Sequence, residues 1–232
     1  RGGAGPTVSM RSSSISTKPP GISERASSVT ATSRASWMSV LTGAANDLHA
    51  ERQIDQIDRR VLQGQSIPHE EKVFSLFQPH TEWISKGKAG VPVELGLRAC
   101  VVEDQHRFIL HHQVMEKTTD DVIAVSIVEQ TKQRFGSVGS VSMDKGFHSK
   151  DNQGKLKEVV GLVVLPKKGR LSEVDREREA DEEFVRLRRQ HSAVESAINA
   201  LEQHGLDVCP DHGIVGFKRY VALAVVARNV QR

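Results

Sequence analysis

The strongest constraint on the fold lies between Val91 and Leu165, where short apolar runs of strand character alternate with helical periods. Residues 91–102 and 107–114 read as two strands joined by Glu103-Asp104-Gln105-His106, so an antiparallel hairpin is expected there. Thr119-Asp120 then opens a helical period carried by Val122, Val125, Ile127 and Val128, which Gly136 closes. Residues 137–143 read as a strand that delivers Asp144 at its carboxyl end. A helix is expected over 151–160, a buried strand over Leu162-Val163-Val164-Leu165, and a basic loop at Pro166-Lys167-Lys168-Gly169-Arg170. The order hairpin, helix, strand, helix, strand, helix predicts a mixed α/β domain with right-handed crossovers.

The flanking segments extend this pattern. Ile54, Ile57, Val61 and Leu62 recur at helical spacing over 51–63, with Gly64 as a stop. Lys72-Val73-Phe74-Ser75-Leu76-Phe77 suits a strand or a buried turn. One long helix is expected from Asp175 to Gln203, solvated on one face and packed through Val194, Ile198 and Leu201 on the other. A final helix from Gly213 carries Val221 to Ala227, apolar almost all round, and is expected to be buried against the sheet.

Composition breaks sharply near Asp47. The first 40 residues hold eleven Ser and five Lys or Arg against the single Glu24, with few large apolar side chains and no evident strand or helix period. Such a stretch buries too little surface to offset its chain entropy, so residues 1–46 are expected to form a disordered tail or a segment of different origin, such as one read in another frame. Residues 47–232 are expected to hold the folded domain, and 38% hydrophobic content supports one core. A net charge of only +3 means that any nucleic-acid surface must come from local clustering of bases. Two distant cysteines, Cys100 and Cys209, and the lack of an apolar run near the ~20 residues of a membrane span favour a cytoplasmic protein with no membrane partner.

The chemistry centres on acids. In open α/β sheets the crevice at the carboxyl ends of the strands is where ligands bind, which makes Asp144 a candidate. Glu195 follows 51 positions later on a helix that can cross the same crevice, and two converging carboxylates suit a hard divalent ion. Taken singly, an Asp before Lys-Gly is more often a turn residue, and a Glu on a charged helix is more often solvated.

The surrounding residues add a resemblance. Asp144-Lys145-Gly146-Phe147-His148-Ser149 and Arg188-Arg189-Gln190-His191-Ser192-Ala193-Val194-Glu195 closely resemble the second-aspartate and glutamate motifs of insertion-sequence transposases of the Asp-Asp-Glu (DDE) class. Matches in the same order are Lys72 to Phe77 with His80-Thr81, Lys86-Gly87-Lys88, His204-Gly205-Leu206-Asp207 and Gly216-Phe217-Lys218-Arg219-Tyr220. The resemblance spans residues 51–232 and implies a partial DDE catalytic domain with a ribonuclease-H-like mixed sheet flanked by helices. It further implies DNA cleavage and strand transfer, with Asp144 and Glu195 holding Mg²⁺ or Mn²⁺ as catalytic ligands. The implied partners are transposon ends and target DNA, with a homodimer acting on paired ends and the protein nucleoid-associated when bound. Lys145, His148, Lys167, Lys168, Arg170, Arg188, Arg189 and His191 are the candidate DNA contacts. Between Asp144 and Arg170 there are seven Lys or Arg against three acids, which makes this stretch the first place to look for DNA binding.

Two departures from the family stand out. Its first Asp lies in an Asp-Thr-Thr or Asp-Gly-Thr context on the opening strand, and no such sequence is present. Asp47, Asp55, Asp58 and Asp104 are poor substitutes, so the opening central strand is expected to be missing. The Tyr-Arg-Glu-Lys signature of some relatives is also absent, with Arg188, His191 and Glu202 at the corresponding positions. The competing expectation is therefore an inactive derivative that binds DNA or transposase subunits.

Zinc is not expected. His111 and His112 point to opposite faces of a strand, and Cys209-Pro210-Asp211-His212 lacks partners for a four-ligand site. Trp83, near Lys86 and Lys88, suits base stacking, although a boundary Trp is the commoner outcome.

Overall fold

The computed structural model describes residues 6–17, 44–85, 93–206 and 208–232; the side chains at 44–47, 190, 192–197, 199 and 204–205 lie outside the description. Two compact units are present, one of residues 1–15, 97–207 and 218–232, the other of residues 16–96 and 208–217.

The larger unit is a mixed sheet flanked by helices. Its middle strand is β1 (Thr7–Ser16), which pairs with β3 (Val93–Asp104) on one side and with β5 (Ser140–Met143) on the other. β1 and β5 run parallel, as do β5 and β6 (Leu162–Val164), whereas β3 forms an antiparallel hairpin with β4 (Ile109–Met115). The expected hairpin is thus present. Its turn has no Asn-Gly because Asp104 does that work: Asp104 Oδ1 accepts from the amides of His106 and Phe108, both at 2.9 Å, while Arg107 takes a positive φ of 69°.

β1 falls inside residues 1–46, which were expected to form a disordered tail, and places a strand in the middle of the sheet where none was expected. In β1 only Val8 and Met10 alternate as buried apolar residues, too short a run to show as a strand period. The ladder hydrogen bonds on both edges, and a 2.7 Å bond from Ser140 Oγ to Thr7 Oγ1 across the β1–β5 pair, supply what large side chains would otherwise provide. Residues 18–43 of the expected tail lie outside the described residues.

Period two along the strands sorts side chains between the faces. Val8, Met10, Val141, Met143 and Val163 join one core with Ile123, Ala124, Ile127 and Val128 of α2 (Asp120–Phe135) and Leu156 of α3 (Lys150–Val159). Leu162 and Val164 point to the other face and pack on Phe184 and Leu187. Those two residues belong to α5 (Glu182–Leu201), which follows α4 (Glu173–Ala180). One long helix was expected here. The break falls at Asp181, whose extended backbone (φ −56°, ψ 137°) frees its carboxylate to accept from the amides of Glu183 and Phe184 at 3.0 and 3.1 Å, capping a new helix.

The last helix, α6 (Gly213–Val230), also departs from expectation. Only one of its faces is buried, through Phe217, Val221 and Val225, and Leu223, Val226 and Val230 are exposed. An apolar sequence does not bury a helix that has only one packed face.

In the smaller unit, α1 (Ala44–Ile57) continues into a wide turn over Asp58–Leu62 that Gly64 ends at φ +67°, as expected. Residues 72–77 form a bend rather than a strand, followed by β2 (Glu82–Ser85), which pairs antiparallel with residues 93–96. Gln78 is buried and braces the start of α6, accepting from the Gly213 amide at 3.1 Å and donating to His212 Nδ1 at 3.2 Å.

Candidate functional site

The register that sorts the core also builds the site. Thr7, Ser9 and Arg11 share one face of β1; Ser140, Ser142 and Asp144 continue the same face from β5. Met10 lies opposite Met143, so Arg11, in the middle of β1, and Asp144, just past the end of β5, follow side by side. Ser140 and Ser142 are buried and small, which lets α5 pass close to this face. It brings His191 over the strand end, where His191 Nε2 donates to Asp144 Oδ1 at 3.1 Å. Arg11 Nε stands 3.4 Å from the other oxygen, Asp144 Oδ2.

Asp144 is therefore held from two sides. Burial raises the pKa of its carboxyl, but the hydrogen bond and attraction of His191, followed by the charge of Arg11, outweigh this and leave it below the ordinary carboxylate value. His191 is itself buried, and its Nδ1 has no hydrogen-bond partner among the described residues.

Glu195 lies on α5 one turn beyond His191, and residues four apart share a helix face. Its side chain lies outside the described residues. Among the described residues no group of three or more His, Cys, Asp or Glu is placed to hold a metal ion.

The motif around Asp144 also shapes the backbone. Phe147 is fully buried and anchors the turn Lys145–Phe147. Gly146 sits close to Asp120: a Cβ there would come 2.8 Å from Asp120 Oδ2 and the carboxylate would have to shift. Ser149 caps α3 by accepting from the Asn152 amide at 3.0 Å. Asn152 in turn donates from Nδ2 to Phe147 O at 2.9 Å and to Asp121 O at 2.6 Å. Sequence reasoning missed Asn152 and Arg11. Asn152 gave a faint signal as an amide three residues after a helix-capping Ser, whereas Arg11 gave none.

The expected DNA contacts divide. Lys145, Lys168, Arg170 and Arg189 are exposed, and His148 is half-buried at the end of the turn. Lys167 is drawn onto Asp175 of α4, and Arg188 lies 3.8 Å from Glu179 of the same helix. Asp175 also completes a capping box with Ser172, and the Lys167 and Ser172 hydrogen bonds hold its carboxyl well below the usual range. His191, expected to face DNA, is instead buried against Asp144, because α5 turns that position toward the sheet.

Other clusters are occupied structurally. Burial lowers the pKa of both His111 and His112, and His111 Nε2 donates to Gln130 Oε1 at 3.1 Å. Cys100 and Cys209 are free and buried, and burial pushes both thiols up. No helix among the described residues is long and apolar enough to cross a membrane. Lys86 and Lys88 lie outside the described residues. Comparison with known proteins finds no matching family model, no matching curated protein and no matching solved structure.

Proposed function

We propose that this chain is a DNA-binding derivative of the DDE transposase lineage whose catalytic centre is closed by Arg11. The motif resemblance supports the lineage, and so does a sheet with its opening strand at the centre, flanked by a hairpin and two parallel strands. The observation that carries the reading is the pairing of Arg11, within β1, with Asp144 at the carboxyl end of β5.

In that lineage an acid on the opening strand joins Asp144 and Glu195 to hold the metal. Here the residue beside Asp144 is a cation. A divalent ion ligated by Asp144 would meet the guanidinium at about ion-pair distance, so this donor set does not fit Mg²⁺ or Mn²⁺. With a guanidinium beside Asp144 in place of a third carboxylate, the centre lacks the donor that would help a divalent ion activate water or a 3′-hydroxyl, and the implied strand transfer is not expected of this chain. DNA binding needs only the exposed bases of the Lys145 turn and the 167–170 loop, which Arg11 leaves free to act. The reading without the Arg11 closure, an active transposase, is disfavoured by the same ion pair.

The test mixes the full chain with supercoiled plasmid and with short duplexes in Mg²⁺ and in Mn²⁺. The expected result is salt-sensitive binding without nicking, with Lys168→Ala plus Arg170→Ala flattening the salt dependence by about one to two units of slope. Nicking by the parent that Asp144→Asn abolishes would overturn the proposal, as would absence of DNA binding at low salt.

A further inference from the structure

The smaller unit contains a pocket of about 680 Å³, within the ~300–1,000 Å³ typical of small-molecule sites, formed where the bend at 65–74 folds back on α1. Ile57, Ile67, Phe74 and Trp83 supply its apolar wall, and Arg60 and Lys72 are its charged residues. Three glutamines and a serine add uncharged polar groups, and the lining includes no carboxylate. Two of the acids near it, Glu71 and Asp55, are engaged by Arg59 at 2.8 and 3.3 Å. Trp83 stands on β2 with 46% of its surface exposed, and its ring is 5.8 Å from that of Phe74, which in turn lies 5.5 Å from His69.

An exposed indole backed by a second ring gives a flat surface for stacking, and a wall with cations and no acids favours an anion. Amides in the lining add donors and acceptors without a fixed charge. The ligand class with one flat aromatic ring and one adjacent negative charge is the nucleotide. In duplex DNA the bases are stacked on one another and cannot enter such a pocket, whereas a single strand presents them freely.

We infer that this pocket receives an unstacked base of single-stranded DNA, with Trp83 as the stacking platform and Arg60 and Lys72 neutralising the flanking phosphates. The inference is independent of the Asp144 site and stands or falls without it.

The test is fluorescence anisotropy of labelled oligothymidylate on the full chain, with duplex DNA and oligouridylate as further arms. Trp83→Ala should weaken single-strand binding by about tenfold, the scale of losing one stacked base, while Trp83→Phe retains most of it. Arg60→Ala and Lys72→Ala should each reduce the salt dependence by about 0.7 units of slope. Duplex binding should be unchanged by Trp83→Ala. Weaker binding of oligouridylate identifies DNA as the ligand, and equal binding leaves the same base-and-phosphate chemistry in force for either strand. Unchanged single-strand affinity in Trp83→Ala, with circular dichroism matching the parent, overturns the inference. So does a parallel loss of duplex binding, or a change in oligomeric state on substitution, which would make the pocket a contact between copies of the chain.

Discussion

Replacing Arg11 by Asp should convert the closed centre into a cation site. Arg11 Nε is 3.4 Å from Asp144 Oδ2, which at an effective dielectric constant of about 20 corresponds to roughly 5 kcal/mol of attraction. The Asp144 side chain is 39% exposed, so solvent screening reduces the contribution to about 1–2 kcal/mol. Arg11→Asp loses that attraction and adds a repulsion of similar size, for a net destabilisation of about 2–4 kcal/mol in EDTA. In a chain of 232 residues each kcal/mol moves Tm by about 2–4 °C, so a fall of roughly 4–16 °C is expected. A divalent ion then has two facing carboxylates and no competing guanidinium. At 100 times its Kd it should return about 2.7 kcal/mol. Thermal melts followed by circular dichroism, with and without MnCl₂, read both changes. The parent should show no Mn²⁺-dependent rise, and Arg11→Ala should fall between the two. The reasoning is refuted if Mn²⁺ raises the Tm of the parent and Asp144→Asn removes that rise, or if Arg11→Asp is as indifferent to Mn²⁺ as the parent.

Three other outcomes are expected. Because the folded Asp144 carboxyl lies below its ordinary value, its stabilisation is complete above about pH 3.9 and fades as pH falls toward the folded value; the Tm gap between the parent and Asp144→Asn should close over that acid range. Glu103 behaves in the opposite sense, since burial raises its carboxyl despite Arg228 and one carboxylate oxygen has no partner among the described residues. Its penalty appears as pH rises through about 4.3, so Glu103→Gln should raise Tm at neutral pH and leave it unchanged at about pH 3. Asn152→Ala should cost about 1–3 kcal/mol by leaving the carbonyls of Phe147 and Asp121 without their donor, measurable as a lower urea midpoint at unchanged slope.

The hairpin, α2, β5, α3 and β6 were legible because each depends on local pattern: alternation over two residues, a helical period, a capping Ser, a closing glycine; Thr119 stands at the start of α2 but its side chain makes no capping bond. Asp144 was legible for the same reason, as the residue that ends a strand. The break at Asp181 was not, since a capping carboxylate inside a run of helix formers leaves the helical period intact on both sides. Nor was the exposure of Leu223 and Val226, because burial depends on how many neighbours a helix meets, and its own sequence does not carry that number.

The central place of β1 marks the boundary most clearly. A serine-rich segment is a poor strand in isolation, yet β3 and β5 offer it two unpaired edges, and filling them satisfies backbone groups on three strands at once. Sequence by itself determined the hairpin, α2, β5, α3 and β6, and which acid ends β5. Only the tertiary structure decided that Arg11 stands beside that acid, because parallel register joins residues 133 positions apart and no local pattern records such a pairing.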